Sequence, residues 1–409
     1  MKTLVACELP EAALAELRAL AVQLVYRPTL APAELRELVP DVGILVVGGT
    51  RVSPEAISRA RALQLIVHAG PGPGEIAIEE ASAQGIFVAH CPTPDAEALA
   101  ELTFGLILAL DRRIVDAAVA MRDGRWRRSE LADARGLAGR TLGILGYGPV
   151  GRLVAGRARA FDMHVLAWMP RLAGGPGGDE PGPAAPAQEP DVTFVDWPRD
   201  LARQSDIVAV LACPIDPDLQ NLAESEFLDH LQDGAALVLV GCAGLDEAAL
   251  TRAIEQQHLR VAVDVFASEP AGDASRYRCR ICELPGVIAT PHLGPLTEQA
   301  RQATAAEVVR IVRSFIVSGE VHNCLNIAER SPATWQLVLR VRDQVGVMAG
   351  ILEAIRADGI NAQEIASRVF TGAKAAWCTI ALDERPSTDA LQAIRALPDV
   401  LHLELRAVV

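Results

Sequence analysis

Over the first 95 residues, short runs of apolar positions alternate with stretches in which apolar residues recur every three to four positions. Lys2–Cys7, Val42–Val47, Leu63–His68 and Ile86–Ala89 predict strands, with helices over Glu11–Leu20 and Ser53–Ala62 between them. Strands joined through helices imply a parallel sheet, because parallel neighbours need a long crossover. Pro94-Asp95 then opens a predicted helix from about Ala96 to Met121. It is hydrophobic on nearly all sides over Leu102–Leu110, which predicts burial between domains.

A second alternating series predicts strands at Thr141–Leu145, His164–Trp168, Thr193–Val195, Ile207–Leu211, Ala236–Val240, Val261–Val265 and Val287–Ala289, enough for one doubly wound unit. Residues 174–190 are rich in Gly, Pro and Ala, a composition expected of a mobile surface loop. After a helix over Thr297–Ser318 and a linker-like stretch over Gly319–Pro332, the order changes. Strand Trp335–Val341, helix Val347–Ala357, strands Ile365–Phe370 and Ala375–Leu382, helix Thr388–Ala396 and strand Val400–Val408 make a βαββαβ pattern of the ferredoxin-like kind. The predicted class is therefore α/β, with two Rossmann-like doubly wound parallel sheets and a small C-terminal ferredoxin-like unit.

Composition narrows the function. The 409 residues suit two or three domains. The net charge is −14 and aromatics make up 4% of the chain, so neither a phosphate-tracking surface nor a base-stacking platform is expected, and nucleic acid is not an expected partner. No apolar run approaches the ~20 residues that span a bilayer, Leu102–Leu110 having nine, and no membrane partner is expected. The first residues lack a signal-peptide pattern, which makes the cytoplasm the expected location. Eight scattered cysteines suit free thiols in a reducing compartment. Cys279-Arg-Ile-Cys282 alone has metal-like or redox-like spacing. A structural zinc site needs a second ligand pair, and none is nearby, so no metal is expected.

Gly143-Ile-Leu-Gly146-Tyr-Gly148-Pro149-Val150-Gly151 supplies G-x-G-x-x-G directly between a strand and a helix. Glycines there permit a tight turn, close approach of backbone N–H groups to a pyrophosphate, and close helix packing, so a dinucleotide is expected over Gly146, Gly148 and Gly151. The acid that would read the ribose of NAD should end the next strand. That strand ends in Met169-Pro170-Arg171 instead, which leaves NADP open beside NAD, with Arg171 either meeting a 2′-phosphate or solvated. Further on stand Asp264-Val-Phe-Ala-Ser-Glu269-Pro270 and Pro291-His292-Leu-Gly294. A glutamate bonded to an imidazole favours imidazolium and fixes the ring, as a general acid in carbonyl reduction requires. A capping or satisfied loop histidine is the plain alternative.

Together with Ala100–Gly105, Gly139–Gly148, Asp246–Leu250 and Gly359-Ile-Asn361, these stretches resemble the D-2-hydroxyacid dehydrogenases of the D-3-phosphoglycerate dehydrogenase type with a C-terminal ACT domain, a family tied to serine biosynthesis. The resemblance implies a substrate domain of residues 1–95 and 290–325, an inserted dinucleotide-binding domain of 96–289, a linker over 326–332, an ACT regulatory domain of 333–409, and a homodimer or tetramer. It implies His292 as proton donor and Glu269 as its partner. Cofactor contacts would come from Gly146, Gly148, Pro149, Val150, Gly151, Met169, Cys213, Gly241, Cys242, Asp264 and Gly294. The substrate, a small anionic hydroxy or keto acid, would meet Gly70, Gly72 and Arg51.

The chain departs from that family at ligand-contacting places. Where the family carries a catalytic arginine before Asp-Glu-x-x-Leu, this chain reads Leu239-Val240-Gly241-Cys242-Ala243-Gly244-Leu245. Losing such a charge-assisted contact costs ~2–5 kcal/mol. The substrate loop reads His68-Ala-Gly70-Pro-Gly72-Pro73-Gly74, and Pro73 has no N–H to offer a carboxylate. These departures leave two expectations: a dehydrogenase with altered substrate choice, or a catalytically impaired regulatory or assembly protein. In the last unit, Asp343 and Asn361 could hold a small amino-acid effector, or be a helix cap and a turn residue. Val341 stands where the family has an effector histidine.

Overall fold

The computed structural model describes residues 1–20, 23–169, 189–211, 226–241, 247–266, 268–270, 276–328 and 331–408. The chain forms two compact units, Met1–Asn326 and Ile327–Val409.

The first unit holds two parallel sheets. In the smaller, β1 (Lys2–Ala6), β2 (Gln23–Tyr26), β3 (Ile44–Val47), β4 (Leu65–His68) and β5 (Phe87–His90) pair in the order β2-β1-β3-β4-β5. Every neighbouring pair is parallel. Its inner strands are buried on both faces, which explains their unbroken Val, Ile and Leu runs. Strand β2 was absent from the sequence pattern. Gln23-Leu-Val-Tyr26 is a half-buried edge without a strong apolar run, and it is recruited by pairing with β1.

The larger sheet contains β6 (Thr141–Leu145), β7 (His164–Trp168), β8 (Val192–Phe194), β9 (Ile207–Val210), β10 (Ala236–Leu239), β11 (Arg260–Val263) and β12 (Val287–Ala289). Their order is β12-β11-β10-β9-β6-β7-β8. The chain winds outward from β6 to β8, then returns to start again at β9. That reversal opens a crevice at the carboxyl ends of β6 and β9, where doubly wound sheets bind ligands.

The helix predicted over Ala96–Met121 is two helices, Ala96–Arg112 and Ile114–Arg122, because Arg113 adopts a left-handed conformation (φ 48°). Such a conformation costs about 1–2 kcal/mol in a residue with a Cβ. It is offset by bonds from the Arg113 guanidinium to Asp116 (3.0 Å) and to the Glu130 carbonyl (2.9 Å). Helix Ala96–Arg112 packs into the core of the larger sheet with Phe104, Ile107 and Leu110. Its last turn is tied to β6 by a buried Asp111–Arg140 ion pair at 2.9 Å. Helix Glu298–Ser318 instead buries Val308, Ile311, Val312 and Phe315 against the smaller sheet. The segment after it runs beside β5, with Leu325 N–H donating to Val88 O at 2.7 Å.

In the second unit, β13 (Trp335–Arg342), β14 (Ala362–Val369), β15 (Ala375–Leu382) and β16 (Val400–Ala407) form an antiparallel sheet in the order β14-β15-β13-β16. Helices Val347–Ala357 and Thr388–Arg395 bury Val347, Ile351, Ile355 and Ile394 against it. The βαββαβ order matches the sequence pattern. Strand β14 begins three residues earlier than the periodicity indicated, since its side chains are mostly exposed and carry no burial signal.

Candidate functional site

The glycine loop stands at the carboxyl end of β6. Gly146 has φ +99° and donates its N–H to Trp168 O at 2.9 Å, which locks the turn to β7. Gly148 caps helix Pro149–Ala160, with Pro149 at its first position, where no intrahelical N–H is needed. A Cβ on Gly148 would meet nothing within 4 Å, so the loop presents bare backbone to open space. At Gly151 the demand is opposite: a Cβ would lie 2.9 Å from Gly146 O. The helix therefore starts against the turn, and Val150 is buried beside it. Tyr147 points into the core, its hydroxyl donating to Glu189 at 2.7 Å, while Arg152 pairs with the same carboxylate at 3.1 Å. Burial, then Glu189, push the Tyr147 phenol up to about 12. Open backbone beside a 12-residue helix N-terminus fits a pyrophosphate.

After β11 and β12, His292 Nδ1 lies 2.7 Å from Glu269 Oε2. The other Glu269 oxygen accepts from Phe266 N–H at 2.9 Å. Partial burial alone would push the Glu269 carboxyl up. The bonds from Phe266 and His292, with the imidazole's charge, outweigh it and hold the carboxyl below its ordinary value. The imidazole thus has one nitrogen fixed and Nε2 left over. His292 itself is in the left-handed region at φ 50°. Asp264, fully buried after β11, sustains that conformation: its carboxylate accepts from Thr290 Oγ1 (2.5 Å), Leu293 N–H (2.8 Å) and Gly294 N–H (2.9 Å). Sequence reading gave Asp264 a cofactor contact. In the structure its three bonds go to the turn that carries His292. A Cβ at Gly294 would come 2.5 Å from Leu99 Cδ2, so this turn closes tightly on helix Ala96–Arg112 and a larger residue there would require Leu99 to shift.

His292 lines a cavity of about 540 Å³ at the carboxyl ends of β1, β3 and β4, together with Glu8, His68, Gly70, Asp95 and Arg301. The Gly70–Gly74 loop wraps around the His68 ring. His68 Nδ1 lies 2.9 Å from Gly72 O, and Gly72 N–H donates to His90 Nδ1 at 3.0 Å. Gly72 is thereby held through its backbone at both ends. His68 and His90 are register partners on parallel strands β4 and β5, a pairing visible only once those strands are neighbours. A second cavity, of about 470 Å³, lies around Arg113, His258 and Arg260 at the opposite ends of β11 and β12, where His258 Nδ1 stands 3.1 Å from the exposed Asp233 carboxylate.

Arg51 is exposed and is not among the described residues lining the cavity. Gly241 is required for packing, since a Cβ there would meet Leu211 O at 2.3 Å. Met169 is half-buried against the core of the larger sheet. Cys213, Cys242 and Arg171, with most of the 174–190 stretch, lie outside the described residues. Asp343 and Asn361 are both exposed. The register pairs Arg342 with Ala375 but Ala362 with Leu382, so the two stand at opposite ends of the four-stranded sheet. Among the described residues no group of three His, Cys, Asp or Glu side chains is arranged to hold a metal, and no helix is long and apolar enough to cross a membrane. Sequence reading missed His90, Asp95, Glu8 and Arg301, whose roles depend on the cleft.

Comparison with known proteins agrees with this geometry. Residues 104–294 match the family model of the D-isomer specific 2-hydroxyacid dehydrogenase NAD binding domain. The chain is 33% identical over 279 residues to a hydroxypyruvate reductase of Thermotoga maritima, covering 68% of this chain and 85% of that one. It is 32% identical over 301 residues to a D-3-phosphoglycerate dehydrogenase of Methanocaldococcus jannaschii. That match covers 73% of this chain and 54% of the relative, so the chain spans about half the length of that longer protein. Among solved structures, a Thermus thermophilus protein superposes with a TM-score of 0.68 at 30% identity, covering 80% of this chain and all of the other.

Proposed function

The chain belongs to the D-isomer specific 2-hydroxyacid dehydrogenase family, and we propose that it interconverts a small 2-keto acid and its D-2-hydroxy acid with a nicotinamide dinucleotide. The observation that carries this is the His292–Glu269 pair, whose imidazole lines the cleft, in a unit that also presents an open glycine loop at a helix N-terminus. On this reading residues 96–289 hold the cofactor, and residues 1–95 with 290–325 hold the substrate. Gly146, Gly148 and Gly151 would hold the pyrophosphate, and the bound nicotinamide would supply or receive the hydride.

The chain's own residues account for the rest. Glu269 accepts from Nδ1–H and fixes the ring, so that Nε2 can give a proton to the substrate's carbonyl oxygen in reduction and take one from the hydroxyl in oxidation. Asp264 acts as a positioning residue for that turn. The substrate carboxylate needs a cation, and Arg301 is the guanidinium among the described residues lining the cleft. Its pairing with Glu298 at 2.7 Å orients it there. Met169 at the end of β7 leaves the ribose without a carboxylate from that position, which supports use of NADP as well as NAD.

Exposed Ile114, Val119, Met121 and Trp126 on the larger-sheet half, and Ile365, Val369 and Phe370 at the β14 edge, favour a homo-oligomer. The second unit we read as an ACT-type regulatory unit. Because Asp343 and Asn361 stand at opposite ends of its sheet, an amino-acid site using both would need two copies side by side.

The test is oxidation of NADH and NADPH against a panel of 2-keto acids, with His292→Ala as control. Turnover that His292→Ala lowers by about 10²–10⁴ supports the reading. Cofactor binding without turnover would instead favour a regulatory protein that has lost catalysis with the family arginine.

A further inference from the structure

One polar side chain in the cleft has no part in the chemistry above. Asp95 follows Pro94 and stands at the N-cap of helix Ala96–Arg112. An aspartate at an N-cap ordinarily turns its carboxylate back to accept from N–H groups of the first turn. Asp95 makes no such bond. The residue is 8% exposed, no other described residue donates to its carboxylate, and it lines the same cavity as His292. Burial pushes its carboxyl above the ordinary value, and its own backbone N–H and the charge of His292 only partly oppose this. A carboxylate held at that cost beside a cavity has lone pairs that a bound molecule can meet.

Resting on the reading of this cleft as a 2-keto acid site, we propose that Asp95 is a specificity residue that accepts a hydrogen bond from a hydroxyl group on the substrate's side chain and turns phosphorylated substrates away. Exposed Glu8 lines the same cavity and adds a second negative charge. Arg301 is the guanidinium described there, and it is shared with Glu298. One available cation matches one substrate carboxylate. A phosphate dianion would bring two further negative charges beside Asp95 and Glu8, which is repulsive. A hydroxyl brings a donor without charge.

The test uses three 2-keto acids that differ only at C3: pyruvate, hydroxypyruvate and the phosphate ester of hydroxypyruvate. For the full chain with saturating cofactor, kcat/KM for hydroxypyruvate is expected to exceed the other two by about 10–100-fold, the range for a hydrogen bond to a charged group. Asp95→Ala, which removes the acceptor, should bring the hydroxypyruvate-to-pyruvate ratio down about tenfold or more. Asp95→Asn, which keeps the volume and removes the charge, should raise the phosphate ester relative to hydroxypyruvate by about tenfold. If both variants change all three substrates by one common factor, the proposal is overturned and Asp95 is a structural residue. If the unmodified chain reduces none of the three, the dehydrogenase reading fails, and calorimetry with D-glycerate, D-lactate and 3-phospho-D-glycerate still decides the proposal. Preference for D-glycerate that Asp95→Ala abolishes upholds it; equal binding of the three, or none, overturns it.

Discussion

The molecule has two glycine-rich loops, one after β6 of the larger sheet and one after β4 of the smaller, and they are built by different means. In the loop at residues 146–151 each glycine answers a backbone demand: a positive φ at Gly146, bare backbone at Gly148 and close approach at Gly151. The Tyr147 side chain is kept out of the loop, turned into the core and bonded to Glu189. In the loop at residues 70–74 the glycines close around an imidazole. His68 faces Gly72 O, His90 receives Gly72 N–H, and Gly74 has room only for hydrogen beside the His68 ring. A loop shaped by its own backbone is specified within a few residues of sequence. One shaped by side chains is specified by whatever strand is adjacent.

The largest expected effect is at the first loop. Gly151→Ala forces a Cβ to within 2.9 Å of a carbonyl oxygen that cannot move without opening the Gly146 turn. Overpacking of this kind costs about 1–3 kcal/mol. Thermal unfolding should show that loss, and dinucleotide affinity should fall with it, because the displaced turn carries the open N–H groups. An unchanged Tm and affinity would mean that the helix can slide away from the turn, and the first half of the comparison would fail.

At the second loop, Gly74→Ala places a Cβ 2.7 Å from His68 Nε2 at φ +59°. The left-handed conformation alone costs about 1–2 kcal/mol. The ring cannot withdraw freely while its Nδ1 is held by Gly72 O. The distinguishing measurement is a combination: Gly74→Ala with His68→Ala should regain the steric part of the loss and retain the conformational part. Recovery of neither would show that the loop is not moulded on the ring.

This difference explains how far the sequence could be read. Continuous Val, Ile and Leu runs give the buried parallel strands, and the G-x-G-x-x-G spacing after one of them gives the crevice, since both are local consequences of backbone geometry. His292 and Glu269 were legible as a pair because each sits in a short, chemically plain motif. Strand β2 escaped because an edge strand with half-buried side chains has no periodic signature, and the break at Arg113 escaped because its compensating bonds come from Asp116 and Glu130. Asp95 read simply as a helix start, and only the absent cap bond and the adjacent cavity distinguish it. His90 needed the register of β4 against β5.

Gly148→Ala sharpens the comparison in the opposite sense, with a smaller effect on stability. Its Cβ would meet no protein atom within 4 Å, and φ −103° is open to alanine. Stability should change by no more than about 0.5 kcal/mol. The same methyl group occupies space above the helix N-terminus, so NADH and NADPH affinity should both drop while Tm without cofactor stays in place. If affinity is unaffected, the pyrophosphate does not lie over Gly148.

The smallest effect belongs to pH and to the second loop alone. His90 Nδ1 accepts the Gly72 N–H, a bond available only to the neutral ring. Burial, then the neighbouring His68, lower the His90 pKa from its ordinary value, and Glu307 acts in the other direction. With its folded-state pKa below the unfolded value, His90 binds protons more readily in the unfolded chain. Stability therefore rises with pH across the interval between the two values and is lost as pH falls through the ordinary histidine range near ~6.5 towards the lowered one. His90→Asn can still accept the Gly72 N–H through its side-chain oxygen and does not titrate. Melting the parent and this variant between pH 5 and 8 should give a shallower acid-side fall for the variant, with the two curves converging at the alkaline end. Gly74→Ala, which already loosens the loop, should shrink that gap. A variant whose acid-side slope equals the parent's would show that protonation of His90 does not govern the loop, and the imidazole clamp would reduce to a packing contact.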